Sequence, residues 1–291
     1  EHRFVGGIFH TKVSGTHATK EDNTKGFRGH FDGSLSTDID DTWRTGLKID
    51  LASDDTYLRR YDIESENTLT SHAFVEGFRG RNYASANAYY FQGFRSDKDF
   101  GEIPIIHPIL DFNHVGQPGR SGGRWSFDGN LLALTRTEGI DSRRISFNTG
   151  WQLPHISQIG EVYSLYANLR TDAYWVSDTE DSDASATTRS GVSGRIFPQI
   201  GLDWRFPLVR HEGRFTHFIE PIAGLIISPN GGNSDKIPNE DSRDFELDDT
   251  NVFSQNRFTG LDRVEGSQRI HYGMKGAIHG AQAGSFVAFI G

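Results

Sequence analysis

The run Tyr163-Ser-Leu-Tyr-Ala-Asn-Leu-Arg-Thr-Asp-Ala-Tyr-Trp175 sets Tyr163, Leu165, Ala167, Leu169 and Trp175 on one parity, and Ser164, Asn168, Arg170 and Asp172 on the other. Successive side chains of a strand point to opposite faces, so this segment has one apolar and one ionisable face. The pattern recurs upstream. Phe27, Phe31 and Leu35 oppose Arg28, His30, Asp32 and Ser34; Trp43, Leu47, Ile49 and Leu51 oppose Arg44, Lys48 and Asp50. It recurs again where Ile145, Phe147, Trp151 and Leu153 oppose Arg144, Ser146, Asn148 and Gln152, and where Val192, Ile196, Ile200, Leu202 and Trp204 oppose Ser193, Arg195, Gln199 and Asp203. A sheet on a globular core would alternate in the same way. Length separates the cases: several runs reach about 11–15 residues, above the mode of about 5–6 for globular strands and enough to cross a bilayer obliquely.

Composition agrees. Hydrophobic residues make up 35% of the 291, too few for a thick two-sided core, yet the 12% aromatic content is not that of a disordered chain. A transmembrane β-barrel reconciles the two, because its strands are apolar only toward lipid while the lumen is polar. No segment approaches the ~20 apolar residues of a membrane-spanning helix. The net charge of −9 argues against a nucleic-acid partner, which would call for a basic face. With no Cys there is neither a disulfide framework nor thiol chemistry.

The alternation predicts an all-β, antiparallel transmembrane β-barrel, incomplete, of about thirteen strands near 3–18, 26–37, 42–52, 67–79, 82–93, 103–114, 123–137, 143–153, 161–176, 190–205, 213–228, 266–278 and 281–291. Connections 38–41, 80–81, 154–160, 206–212 and 278–280 are short; 52–66, 94–102, 176–190 and 229–265 are mostly longer and acidic. Short turns on one side and long loops on the other match outer-membrane barrels. Connections 115–122 and 138–142 break the rule, the inner one being as long as the outer. Pro104, Pro108 and Pro221 fall inside predicted strands, where the missing donor calls for bulges, bends or a local edge. An odd strand count and an abrupt last strand suit an internal piece of a larger barrel.

No nucleophile elbow, Walker loop, zinc-ligand run or dinucleotide fingerprint occurs, so the chain is read as a non-enzyme with no cofactor and no metal. His10, His17 and His30 could meet across neighbouring strands, but without clustered carboxylates they read as lumen or loop histidines. Asp178–Asp183 reads as a solvated acidic loop rather than a cation site, lacking the Gly and distal Glu of an EF-hand. Arg28, Arg44, Lys48, Arg144, Arg170 and Arg195 share the lumen parity with Asp50, Asp172 and Asp203. Two readings stay open for them: mutual pairing in a hydrated lumen, or an Arg-lined route for a phosphorylated glycolipid.

Four blocks resemble the LptD family of lipopolysaccharide (LPS) assembly proteins, also called organic solvent tolerance proteins. They are Asp55–Tyr61; Leu69–Tyr83 with Ala88–Gln92; Ile103–Pro108 with Asp111-Phe112; and the stretch from Glu220-Pro221 through Asn256-Arg-Phe-Thr-Gly-Leu-Asp-Arg263, with Tyr272-Gly273 beyond. In the last block Gly260 permits a positive φ, and Asp262 can turn the chain and pair with Arg257 or Arg263. Phe258 and Leu261 supply anchors, so the motif is expected to fold the long loop back against the barrel. The resemblance implies the middle of the C-terminal barrel (residues 1–291), with an N-terminal periplasmic jelly roll and the last strands outside it. It implies an outer-membrane location in a Gram-negative bacterium and insertion of LPS into the outer leaflet. The implied partners are an LptE-type lipoprotein plug, an LptA-type bridge reached through the jelly roll, and outer-membrane lipid. The alternatives are a general or substrate-specific diffusion porin, which calls for a complete, even-stranded barrel, and a barrel enzyme, which calls for a Ser/His or Asp/His cluster at one rim.

Overall fold

The computed structural model describes residues 2–4, 6–19, 24–54, 56–63, 68–93, 100–179, 190–248, 250–280 and 284–291. The strands are β1 (His2–Phe4), β2 (Gly7–Thr19), β3 (Lys25–Asp38), β4 (Trp43–Ala52), β5 (Thr68–Arg79), β6 (Asn82–Gly93), β7 (Ile105–Val115), β8 (Arg124–Thr135), β9 (Gly139–Ile156), β10 (Val162–Thr179), β11 (Gly191–Arg205), β12 (Leu208–Glu212), β13 (Phe215–Ile227), β14 (Gln268–Gly280) and β15 (Gly284–Ile290). Among the described residues, one short helix, α1 (Tyr57–Arg60), and a 3-10 turn, Phe100–Glu102, complete the regular structure. The strands hydrogen-bond in chain order from β1 to β15, except that β12 pairs only β13 and β13 follows β11. This is the antiparallel meander of an up-and-down barrel, with β1 and β15 at the two ends of the order.

The all-β antiparallel reading therefore holds, with three differences of detail. The predicted strand 3–18 is a hairpin, β1 on β2, pairing Phe4 with Gly7; Gly6 takes φ +88° there, which side chains with a Cβ resist. The predicted connection 206–212 carries β12, which turns through Gly213 (φ +58°) onto β13, pairing Glu212 with Phe215. The count is thus fifteen among the described residues rather than about thirteen. Third, β9 starts at Gly139 and runs through Pro154 to Ile156, so the loop before it is only 136–138. That outer-side connection is now shorter than 116–123 on the other side, an inversion of the long-loop rule at this one place.

The three prolines singled out in the sequence sit where a donor is dispensable. Pro104 precedes β7. Pro108 lies at the register shift where Asn87 opposes Ile109 but Tyr89 opposes Ile106. Pro221 marks the changeover along β13: residues up to Ile219 face β12, and from Ile222 onward they face β11.

The chain forms two compact units, Glu1–His114 with Asp128–Ile145 and Tyr174–Val192, and Val115–Phe127 with Ser146–Ala173 and Ser193–Gly291. In each, burial runs opposite to a water-soluble protein. In the first, Phe27 is 68% exposed while its neighbour Arg28 is 0% exposed; in the second, Ile196 is 73% exposed while Asp172 is 2%. Apolar strand faces turned outward and ionisable faces turned inward are what a lipid solvent selects. No helix among the described residues is long and apolar enough to cross a membrane, which says nothing of strands.

Candidate functional site

The ionisable faces are covered by the chain's own loops, one in each unit. In the first unit, α1 lies on β3. Tyr57 and Leu58 are buried with Ala52 and Leu69, and the Tyr57 hydroxyl donates to Ser14 Oγ at 3.1 Å. Beneath it Arg28 donates from Nε and Nη2 to the two Asp54 carboxylate oxygens at 2.9 and 2.5 Å, and to Thr56 Oγ1 at 2.8 Å. Its guanidinium also stands 5.7 Å from the Tyr57 ring centre. So the first resembling block, read as loop, closes over a buried Arg.

Asp54 lies outside the strands, and the Arg28 hydrogen bonds hold its carboxyl at about 2, against an ordinary 3.8 and against the opposing effect of burial. A carboxyl depressed in the folded state stabilises the fold above its unfolded pKa, and that contribution is lost as pH falls toward the folded value. The contact over α1 is therefore expected to persist down to about pH 4 and to fail toward about pH 2. Amide exchange over Tyr57–Arg60 checks this. Protection unchanged by acid, or equally acid-sensitive in Asp54→Asn, would contradict it.

In the second unit the described residues of the loop 228–267 are held without strands. Asp241 Oδ1 accepts the backbone N–H groups of Leu261 and Asp262, both at 2.9 Å. Asp262 Oδ2 in return accepts those of Glu240 and Asp241, at 2.7 and 3.1 Å. Asn233 brackets Val264, accepting its N–H at 2.9 Å and donating to its carbonyl at 2.8 Å. Asn256 does the same across Glu265 and Arg263. These side chains replace the ladder bonds a strand would make. Gly260 takes φ +71°, and a Cβ there would lie 2.4 Å from the Asp241 carbonyl oxygen, so glycine is required twice over.

The loop then docks on β10 and β11. Asp172 on β10 is buried and accepts from Arg195 Nε at 2.7 Å, from Arg170 Nε at 3.0 and 3.1 Å, and from Ser146 Oγ at 2.5 Å. Arg195 also donates to the carbonyls of Gly232 and Asp262, at 3.1 and 3.0 Å. Arg170 and Arg195 both donate to the Leu261 carbonyl. The two guanidiniums thus join one carboxylate to loop carbonyls. Phe197 and Val264 are both buried, and a Cβ on Gly232 would meet each of them.

Against the sequence reading, Arg257, Phe258, Gly260, Leu261, Asp262 and Arg263 come together in this loop, but with different partners. Arg257 pairs with Glu265, not Asp262. Arg263 pairs with Asp244 at 3.3 Å. Phe258 packs edge-on to Phe245 at 5.0 Å, and Leu261 contributes its carbonyl. Glu220 and Pro221 are apart from the loop, on β13 opposite Lys275 and Met274. Of the basic set, Arg28, Arg170 and Arg195 are paired as above. Arg144 donates to Asn130 Oδ1 at 3.0 Å. Arg44 pairs with Glu76 at 2.6 Å and Lys48 with Asp50 at 3.3 Å, both basic side chains half exposed. Arg28, Arg144, Arg170 and Arg195 are thus engaged within the protein, which favours mutual pairing over a lined route at those positions. His10 and His17 lie along β2, paired with Ser34 and Phe27, while buried His30 contacts Asp50 at 3.1 Å. Among the described residues no group of His, Cys, Asp or Glu could hold a metal ion; the acidic run Asp178–Asp183 lies mostly outside them. Glu265, Arg269, Asp241 and Asn233 were missed by sequence reasoning. The signal that could have found them is the density of Asn, Asp and Gly across the loop, the residues that satisfy backbone groups locally.

A family model described as LPS transport system D, LptD, matches residues 26–291. The LPS-assembly protein LptD of Escherichia coli O6:K15:H31 (strain 536 / UPEC) is 24% identical over 251 residues, 83% of this chain and 32% of that protein. The LptD proteins of Escherichia coli K12 and Shigella boydii serotype 4 are 23% identical over the same shares. The chain spans about a third of the length of these relatives. With its strands from β3 onward lying on that family model, the chain belongs to the LptD family.

Proposed function

We propose that the chain is part of the barrel by which an LptD protein inserts LPS into the outer leaflet of a Gram-negative outer membrane. The carrying observation is the family match over residues 26–291, which lies on strands whose apolar faces are turned outward. In this reading the barrel supplies a polar interior and a route outward, and no covalent step occurs. An LptE-type lipoprotein would fill the interior, and an LptA-type bridge would deliver LPS through a jelly roll outside these residues. Conditional depletion of the full-length gene in its own host, followed by surface labelling of LPS, tests it. New LPS should vanish from the surface and accumulate inside. Normal surface LPS with impaired uptake of small solutes would make the protein a channel instead.

A further inference from the structure

On the lipid-facing side of the first unit, near the short turns, four strands present one register-matched row: Trp43 on β4 opposes Gly77 on β5, Gly77 opposes Ala84 on β6, and Ala84 opposes Phe112 on β7. The row runs large, small, small, large. The Trp43 indole leans over Gly77, where a Cβ would come within 2.7 Å of it. Between Trp43 and Phe112 this leaves a cleft of about 330 Å³ whose wall also includes Asp40, Thr42, Arg79 and Asn82. That volume is in the range of small-ligand sites.

Two residues further along β5 the same face turns polar, Arg79 opposing Asn82. An apolar row ending in tryptophan, followed at once by a cation, is where a bilayer's hydrocarbon gives way to headgroups. The Arg79 guanidinium makes no ion pair or hydrogen bond with the described residues. The nearest acid on its strand, Glu76, is on the other face and already serves Arg44 and the Tyr83 hydroxyl. Asp40 uses one carboxylate oxygen to accept the N–H groups of Thr42 and Trp43, at 2.7 and 2.8 Å. Its second oxygen has no partner among the described residues. The cleft therefore offers one unspent cation and one unspent anion beside an apolar floor.

We propose that this cleft holds a zwitterionic glycerophospholipid with a phosphoethanolamine headgroup. The phosphate takes the Arg79 guanidinium, the ammonium takes Asp40, and the first acyl carbons lie along Ala84 between Trp43 and Phe112. Guanidinium forks suit phosphate oxygens. Asp40 and Asp41 together disfavour a purely anionic lipid, so the matched pair of charges selects the amine-bearing one. The site lies at the short-turn end of β4 and β5, beside the turns 39–42 and 80–81. The proposal rests on the bilayer location given under Proposed function.

The test uses the full-length protein in vesicles of mixed phosphatidylethanolamine and phosphatidylglycerol, with a trace of either lipid carrying a photoactivatable group near its glycerol. Adducts are mapped by peptide mass spectrometry. The ethanolamine probe should concentrate on peptides bearing Trp43, Ala84 and Phe112. Arg79→Gln, an exposed change that leaves the fold intact, should lower that labelling roughly threefold to tenfold, as expected for one hydrogen bond of ordinary net strength. Ala84→Trp should fill the cleft and do the same, with heat-modifiable migration verifying that the variant folds. Asp40→Asn keeps the turn-capping oxygen and should erase the preference for ethanolamine over glycerol. Labelling spread evenly over the lipid face, or unchanged in Arg79→Gln, overturns the site. Equal labelling by both probes overturns the amine recognition. No labelling of any outward strand face would overturn the bilayer location itself.

Discussion

Replacing Asp172 by alanine is expected to release the loop 228–267 and to destabilise the protein by about 3–5 kcal/mol, the cost of removing one partner from a buried ion pair. The magnitude follows from what remains. Arg170 and Arg195, with side chains 12% and 3% exposed, would face each other across an apolar gap with no counter-charge. Ser146 would lose its acceptor as well. Because Arg195 reaches the carbonyls of Gly232 and Asp262 only while Asp172 holds it in place, the loop's anchor is lost with it. Trypsin digestion reads this directly, since Arg243, Arg257 and Arg263 all lie within the loop. Asp172→Ala should be nicked there under conditions that leave the wild type whole, and its heat-modifiable transition should fall. Asp172→Asn keeps the shape and one acceptor and should lie between. A variant as protease-resistant as the wild type would show that the backbone carboxylate pairs at Asp241 and Asp262 hold the loop by themselves.

The barrel-type alternation was legible because a period of two survives any loop length. Phe27 against Arg28 and Ile196 against Arg195 are visible without coordinates, and their exposures differ as the reading requires. Reversals were less legible. Gly6 turns the chain inside a stretch read as one strand, and Gly213 at the edge between a stretch read as loop and one read as strand; a glycine within an alternating run signals a bulge or a close approach as readily as a turn. Helix α1 was invisible, since four residues are too few to show a 3.6-residue period. The ion pairs were half legible. That Arg170, Arg195 and Asp172 share a face follows from parity, but that the two arginines would converge on Leu261, some ninety residues on from Arg170, follows from nothing local. The motif Arg257–Arg263 drew attention to the right loop, yet its own charges were paired wrongly. Asp262 spends its carboxylate on backbone N–H groups across the loop, leaving the arginines to Glu265 and Asp244. In an irregular segment unsatisfied backbone donors outbid side chains for carboxylate oxygens, because each one buried unpaired costs about 1–3 kcal/mol.

Placing arginine at Leu47 should destabilise the protein in a bilayer by about 2–4 kcal/mol, the cost of a basic residue at the midplane of a barrel's lipid face. Leu47 is 42% exposed in the middle of β4, flanked by Leu35 and Ala73 in register. It lies four residues from Trp43, which along a strand tilted by about 40° is a depth of roughly 10 Å, near the centre of a band about 25 Å tall. The same substitution on a water-facing sheet would stay within about ±0.5 kcal/mol, because an exposed leucine gains nothing from water. The sign and size of this one change therefore depend on the solvent and not on packing. Ile159→Arg is the internal control: Ile159 is more exposed still, at 70%, but lies in the short connection 157–161 beyond the hydrocarbon. Unfolding of the full-length variants in vesicles should separate the two by at least ~1 kcal/mol, the gap between the midplane and interface costs. Equal, near-zero effects would mean that the outward apolar face of β4 meets protein or water rather than lipid.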